Sequence, residues 1–215
     1  MGRTRPFGDE TFESLIELVA GRTPTPGGGT VAALANALGA ALACMAVRFS
    51  IGRKTSTPES DAVASALELN LVDLGQRFLR LADEDSDAFE RVRSARKLPQ
   101  TTPAEVAARA TAIEAATQES AAVPLRTMRL ARDGLEVLDG ATGALNPNLA
   151  TDAASGALLM RAGARCAALN VRVNLVGDDS PGATTLREEV ETILLRCAAI
   201  EERVASWVDS ILGKT

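Results

Sequence analysis

The sequence predicts an all-α fold. It reads as a single domain spanning residues 1–215, in which about six helices pack as an antiparallel bundle with up-down and orthogonal crossings. Three observations point there. Hydrophobic residues make up 46% of the 215-residue chain and charged residues 24%, enough to build a core. Aromatics are only 3%, with no Tyr and one Trp, so interior surfaces are built from Ala, Leu and Val, which suits close-packed helices better than sheets. No stretch alternates with period two for long enough to make a strand.

Caps and prolines divide the chain into helical segments. The first runs from about Asp9 to Ala20 and stops at Gly21. The second starts near Thr30 and ends around Gly52. It contains the one candidate membrane span, Val31–Val47, which falls short of the roughly 20 apolar residues needed and carries Asn36, so it reads as a buried helix. The third has Ser56 or Thr57 as cap and Pro58 in its first turn, and runs to Leu98. The fourth opens at Thr102-Pro103 and continues to about Asp139, with Pro124 expected to kink or break it. The fifth lies between the Asn146-Pro147-Asn148 turn and Gly177. The sixth opens at Ser180-Pro181 and ends at Gly213, with Leu186, Val190, Ile193, Cys197, Ile200, Val204, Trp207 and Ile211 as its apolar stripe. Loops are short, so consecutive helices are expected to lie antiparallel.

Charge and composition exclude several functions. A net charge of −5, without basic clusters interleaved with aromatics, argues against a nucleic-acid binder. The chain has no His, which rules out Ser-His-Asp and Cys-His catalysis and removes the commonest zinc ligand. Cys44, Cys166 and Cys197 are scattered without CxxC spacing. They predict inert packing in apolar helices and no metal site, and suit a reducing cytoplasm. The N-terminus, Met1-Gly2-Arg3-Thr4-Arg5-Pro6, does not read as a signal peptide. Acid–base chemistry must come from Asp, Glu, Lys, Cys or water.

Three features carry candidate chemistry. In Thr23-Pro24-Thr25-Pro26-Gly27-Gly28-Gly29-Thr30, two prolines stiffen a run of three glycines that leads into a helix. Such a loop is either a hinge or a place where backbone N–H groups approach a ligand. In the third helix the stripe Leu67, Leu71, Leu74, Phe78, Leu81 continues to Phe89 and Val92, but Asp85 occupies the core-facing position between them. A carboxylate there is costly unless paired, so it is either a site residue or a structural salt-bridging Asp. Asp83 and Asp87 fall on other faces and read as solvated, Asp87 within reach of Arg91. In the fifth helix Asp152, Gly156, Leu159, Gly163, Cys166, Asn170 and Asn174 share one face, with Arg161, Arg165 and Arg172 opposite and exposed. Asn170 and Asn174 can grip a planar ligand or glue two helices together. Lys97 ends the third helix, where a cation is favoured in any case, roughly 18 Å along the axis from Asp85.

Thr25-Pro26-Gly27-Gly28-Gly29-Thr30-Val31-Ala32-Ala33-Leu34 resembles the signature of the cyclodeaminase/cyclohydrolase family, which includes the cyclodeaminase domain of formimidoyltransferase-cyclodeaminase and stand-alone bacterial methenyltetrahydrofolate cyclohydrolases. Asp85-Ser86-Asp87-Ala88-Phe89 with Lys97-Leu98-Pro99, then Val123-Pro124-Leu125, then Asn148 to Asp152 and Asn170-Val171-Arg172-Val173-Asn174 agree in order and spacing, over nearly the whole chain. The resemblance implies an all-helical homodimer with a folate site in a cleft, no cofactor beyond the tetrahydrofolate substrate, and the family's catalytic aspartate at Asp85. It places ligand contacts at Pro26, Gly27, Gly28, Gly29 and Thr30 and on the Asp152, Asn170 and Asn174 face. Lys97 is then a candidate for holding the tetrahedral oxygen or leaving group, and Arg53 and Lys54 for meeting the glutamate tail, unless they only compensate a helix dipole. Two departures stand out: Thr30 replaces the usual Ser, and Thr55-Ser56 follow Lys54 where the family often has an aromatic. The function implied is hydrolysis of 5,10-methenyltetrahydrofolate to the 10-formyl form. Cyclodeamination of 5-formimidoyltetrahydrofolate and a non-catalytic folate-binding or assembly module are the alternatives, and no formimidoyltransferase domain is present in the sequence to favour the first of them.

Overall fold

The structure, a computed structural model, describes residues 5–213. Among them the regular elements are helices only: α1 (Phe12–Ala20), α2 (Gly28–Arg48), α3 (Pro58–Arg96), α4 (Pro103–Ala141), α5 (Ala150–Asn174) and α6 (Pro181–Leu212), with short 3-10 turns at Phe7–Asp9, Thr142–Ala144 and Pro147–Leu149. The starts follow the cap chemistry. Thr11, Thr57, Thr102 and Ser180 each accept from the backbone N–H three residues on, and Thr57 and Thr102 form full capping boxes with Ser60 and Glu105.

α2 begins at Gly28, two residues before the expected start, and stops at Arg48, four before Gly52. α4 is unbroken: it passes through Pro124 as one helix from Pro103 to Ala141.

Four helices form the body. α2 lies antiparallel to α3, since Thr30 meets Asp85 at one end and Arg48 meets Glu68 at the other. It also lies antiparallel to α5, with Gly28 beside Asn170, Asn36 beside Gly163 and Gly39 beside Gly156. α4 closes the bundle against α3 and α5, and α6 packs outside α4 and α5. The core between them holds Leu71, Phe78, Met128, Leu135, Leu138, Met160 and Ile193.

The α2–α5 crossing is unusually close. A Cβ on Gly39 would stand 2.8 Å from Gly156 O, and one on Gly156 would stand 2.8 Å from Gly39 O. Both glycines are therefore dictated by backbone approach. α2 is the one described helix long and apolar enough to cross a membrane, and it lies in the core between α3 and α5, as the sequence predicts.

α3 and α4 run past the ends of α2 and α5. Beyond Asp85 they form a two-helix overhang in which Ser86, Ala88 and Ala95 are the buried residues of α3, and no residue of α4 before Ala121 is buried.

Some side chains differ from expectation. Cys44 and Cys197 are buried, but Cys166 is exposed, because α5 is covered by α2, α4 and α6 and its open face falls elsewhere than the sequence periodicity placed it. Burial raises the Cys197 thiol to about 11. Arg161 is half-buried and pairs with Glu201 of α6. Asp83 accepts from the Phe7 backbone N–H at 2.8 Å and tethers the N-terminal turn. Arg91 pairs with Glu119 of α4 at 3.6 Å, and no ion pair joins it to Asp87.

Candidate active site

The site forms where α2 begins. Gly27 is the N-cap and offers no side chain to the first-turn N–H groups. α2 therefore presents open donors and its positive dipole end at the root of the overhang. The carboxyl of Asp85, half-buried on α3, lies against this end. Thr30 donates to it from Oγ1 at 2.9 Å and again from its backbone N–H.

Gly29 explains the glycine run. A Cβ there would collide with Asp85 Oδ1 and stand 2.7 Å from Asp85 Cγ. Gly29 is a glycine because a carboxylate rests on its Cα. Gly28 has the same relation to Asn170, whose Nδ2 would be 3.3 Å from an added Cβ. The two glycines thus bring α3 and α5 to the same helix start.

Electrostatically Asp85 is exceptional. Burial pushes its carboxyl above the ordinary carboxylate range, and the two Thr30 donors pull it part of the way back. No ion pair to it occurs among the described residues. Thr30 supplies two donors to a group with about four lone-pair sites. The remainder can accept from a water or a ligand. This is an unpaired, partly desolvated carboxylate, suited to stabilising a cation or taking a proton.

The other predicted residues divide in two. Asp85, Pro26, Gly27, Gly28, Gly29, Thr30, Asn170 and Asn174 come together at this end. Within that group Pro26, Gly29 and Thr30 are buried, with Thr30 holding Asp85, while Gly27 and Gly28 remain accessible. Asn170 donates to Cys166 O at 2.9 Å, and Asn174 to Asn170 O at 2.9 Å and Ser120 O at 3.1 Å.

Arg53, Lys54, Asp152 and Lys97 do not join them in this chain. Arg53 and Lys54 follow the C-terminus of α2, roughly 30 Å from Gly28 along the helix. Asp152 sits at the same far end, in the first turn of α5, roughly 27 Å from Asn170. Lys97 caps the exposed tip of the overhang, one and a half dozen ångströms or so of helix beyond Asp85.

Two features escaped the sequence reading. Phe89, one turn beyond Asp85 on the same stripe, stays 39% exposed because α2 has not yet begun at its level. It leaves an aromatic face beside the carboxylate, and the signal for it was a stripe residue with no partner helix. Asn36 lies fully buried on α2, with Nδ2 donating to Ala32 O and Oδ1 without a partner.

Comparison with known proteins places this geometry in a family. The chain is 35% identical over 204 residues to the methenyltetrahydrofolate cyclohydrolase of Methylorubrum extorquens, covering 94% of this chain and 98% of that one. It is 32% identical over 190 residues to the formimidoyltransferase-cyclodeaminase of Sus scrofa, covering 85% of this chain and 34% of that enzyme. The structure of formiminotetrahydrofolate cyclodeaminase from Thermotoga maritima superposes with a TM-score of 0.84 at 26% identity, covering 95% of this chain and 98% of that one. The family model for formiminotransferase-cyclodeaminase matches residues 11–192, and the chain, all-helical with its glycine loop against an inward carboxylate, belongs to that family of folate one-carbon enzymes.

Proposed function

We propose that the protein hydrolyses 5,10-methenyltetrahydrofolate to 10-formyltetrahydrofolate, with Asp85 as cation stabiliser and general base. The observation that carries this reading is the unpaired, half-buried Asp85 carboxyl held by Thr30 at an uncapped helix start. The likeness to the Methylorubrum cyclohydrolase over nearly the full length of both chains supports it.

The methenyl carbon bridges N5 and N10 in a cationic amidinium. Asp85 stabilises that charge without a competing protein cation. A water accepted by Asp85 attacks the carbon, and its proton passes to the carboxylate as the C–O bond forms. Asp85 then returns its proton to N5 as the bond from carbon to N5 breaks, the adduct's hydroxyl proton passes to solvent as the C=O forms, and the formyl group stays on N10. The open N–H groups of Gly27 and Gly28, the Asn170 and Asn174 amides and the face of Phe89 hold the substrate around the carbon.

Loss of the methenyl chromophore tests the assignment. Asp85→Asn is expected to lower kcat at least a hundredfold with the fold retained by circular dichroism. Undiminished turnover in that variant overturns it.

Cyclodeamination is the second reading, favoured by the likeness to the Thermotoga cyclodeaminase. There N10 attacks the formimidoyl carbon, and ammonia leaves from the same kind of tetrahedral centre. Release of ammonia from 5-formimidoyltetrahydrofolate, faster than loss of the methenyl chromophore, selects it.

The working unit in this proposal is a homodimer in the cytoplasm. α1 has no buried residue, and Phe12, Ile16 and Val19 lie uncovered along one face of it. A second copy covers that face. Lys97, Arg53, Lys54 and Asp152 contribute to a site only through such a copy.

A further inference from the structure

A proline inside α4 removes a hydrogen bond, and a residue of the candidate site replaces it. Pro124 has no N–H, so Ser120 O, four residues earlier, has no donor within its own helix. Asn174 reaches across from α5 and donates Nδ2 to Ser120 O at 3.1 Å, and the same Nδ2 donates to Asn170 O at 2.9 Å. Both amide hydrogens are then engaged, which fixes the way the amide faces. Asn174 Oδ1 accepts from no group among the described residues and is not among the sealed polar atoms.

Asn174 lines a cleft of about 730 Å3 between α4, the turn after α5 and the start of α6, and of the residues gathered at the α2 start it alone borders that cleft. Glu114 and Asp178 also line it, and no Lys or Arg does. Thr117, Gln118, Thr185 and the first turn of α6 at Gly182 line it as well, so the cleft offers donors beside these two carboxylates.

On the folate reading above, we infer that Asn174 is a specificity-determining residue whose polarity is set by Pro124. The gap at Ser120 holds the amide so that the substrate meets an oxygen acceptor and never an N–H donor. That oxygen takes an N–H of the reduced pterin ring, the part of a folate richest in N–H donors.

The test separates the structural task of Asn174 from the binding task. Four proteins are compared: wild type, Asn174→Ala, Pro124→Ala and the double variant. Each is measured for melting temperature and for calorimetric affinity toward 6-methyltetrahydropterin, which carries the ring but neither the tail nor the one-carbon unit. Asn174→Ala is expected to melt lower, because Ser120 O loses its donor, and to bind the pterin about tenfold more weakly. In the double variant the restored N–H at position 124 bonds Ser120 O again, so the melting temperature recovers while the affinity stays low. Recovery of both, or unchanged pterin affinity in Asn174→Ala, overturns the proposal. Because pterin binding is read without turnover, a wild type that binds the ring but consumes no methenyl substrate counts against the reaction and not against this assignment.

Discussion

Burial holds the Asp85 carboxyl above the usual range while Thr30 pulls it down, so its acidity is the balance of two residues that are far apart in sequence. The sign of a change at Thr30 follows. Thr30→Val keeps the side-chain volume and removes the Oγ1 donor, so the Asp85 pKa rises further. A base must be ionised to act, so the acid limb of the kcat/KM profile moves to higher pH in Thr30→Val and stays near the wild-type position in Thr30→Ser. A limb that does not move between wild type and Thr30→Val would show that Asp85 is not the group titrating. Asp85 was legible in the sequence because it interrupts an apolar stripe. Thr30 was not legible in its actual role, because a hydroxyl beside a glycine run looks the same whether it meets a ligand or a carboxylate from another helix.

At the scale of elements, the glycines have different meanings that the sequence does not separate. Gly39 and Gly156 let two backbones touch, whereas Gly75, in the middle of α3, has nothing within 4 Å of a would-be Cβ. Gly156→Ala is expected to destabilise by about 1–3 kcal/mol, since the methyl must push α2 away from α5. Gly75→Ala is expected to stabilise by about 0.5–1 kcal/mol, since it only relieves the flexibility of a helical glycine. Denaturant midpoints of the two variants should therefore move in opposite directions, and equal shifts would remove the close crossing as the reason for Gly156. The same scale explains why α4 survives Pro124. The sequence rule that proline breaks a helix assumes that the freed carbonyl has no other donor, and here Asn174 of α5 supplies one.

At the scale of the molecule, the bundle leaves two surfaces unfinished. The overhang of α3 and α4 stands open above Asp85, and the apolar face of α1 lies uncovered. On the proposed homodimer, wild type is expected to sediment as a dimer, and the variant with Phe12 and Ile16 both changed to Glu as a monomer. A dimer persisting in that variant places the interface elsewhere.

The all-helical class, the caps at Thr57, Thr102 and Ser180, the stripe positions of α3 and α6 and the outlying carboxylate were all readable along the chain, because helix periodicity and capping are properties of neighbouring residues. Which of the candidate residues meet was decided by packing. Antiparallel helices bring together residues from one end of each, and a helix of 21 residues keeps its two ends about 30 Å apart. Gly28, Asp85 and Asn174 lie at one end of the bundle. Arg53, Lys54 and Asp152 lie at the other end, at a distance that only the arrangement of α2 and α5 reveals.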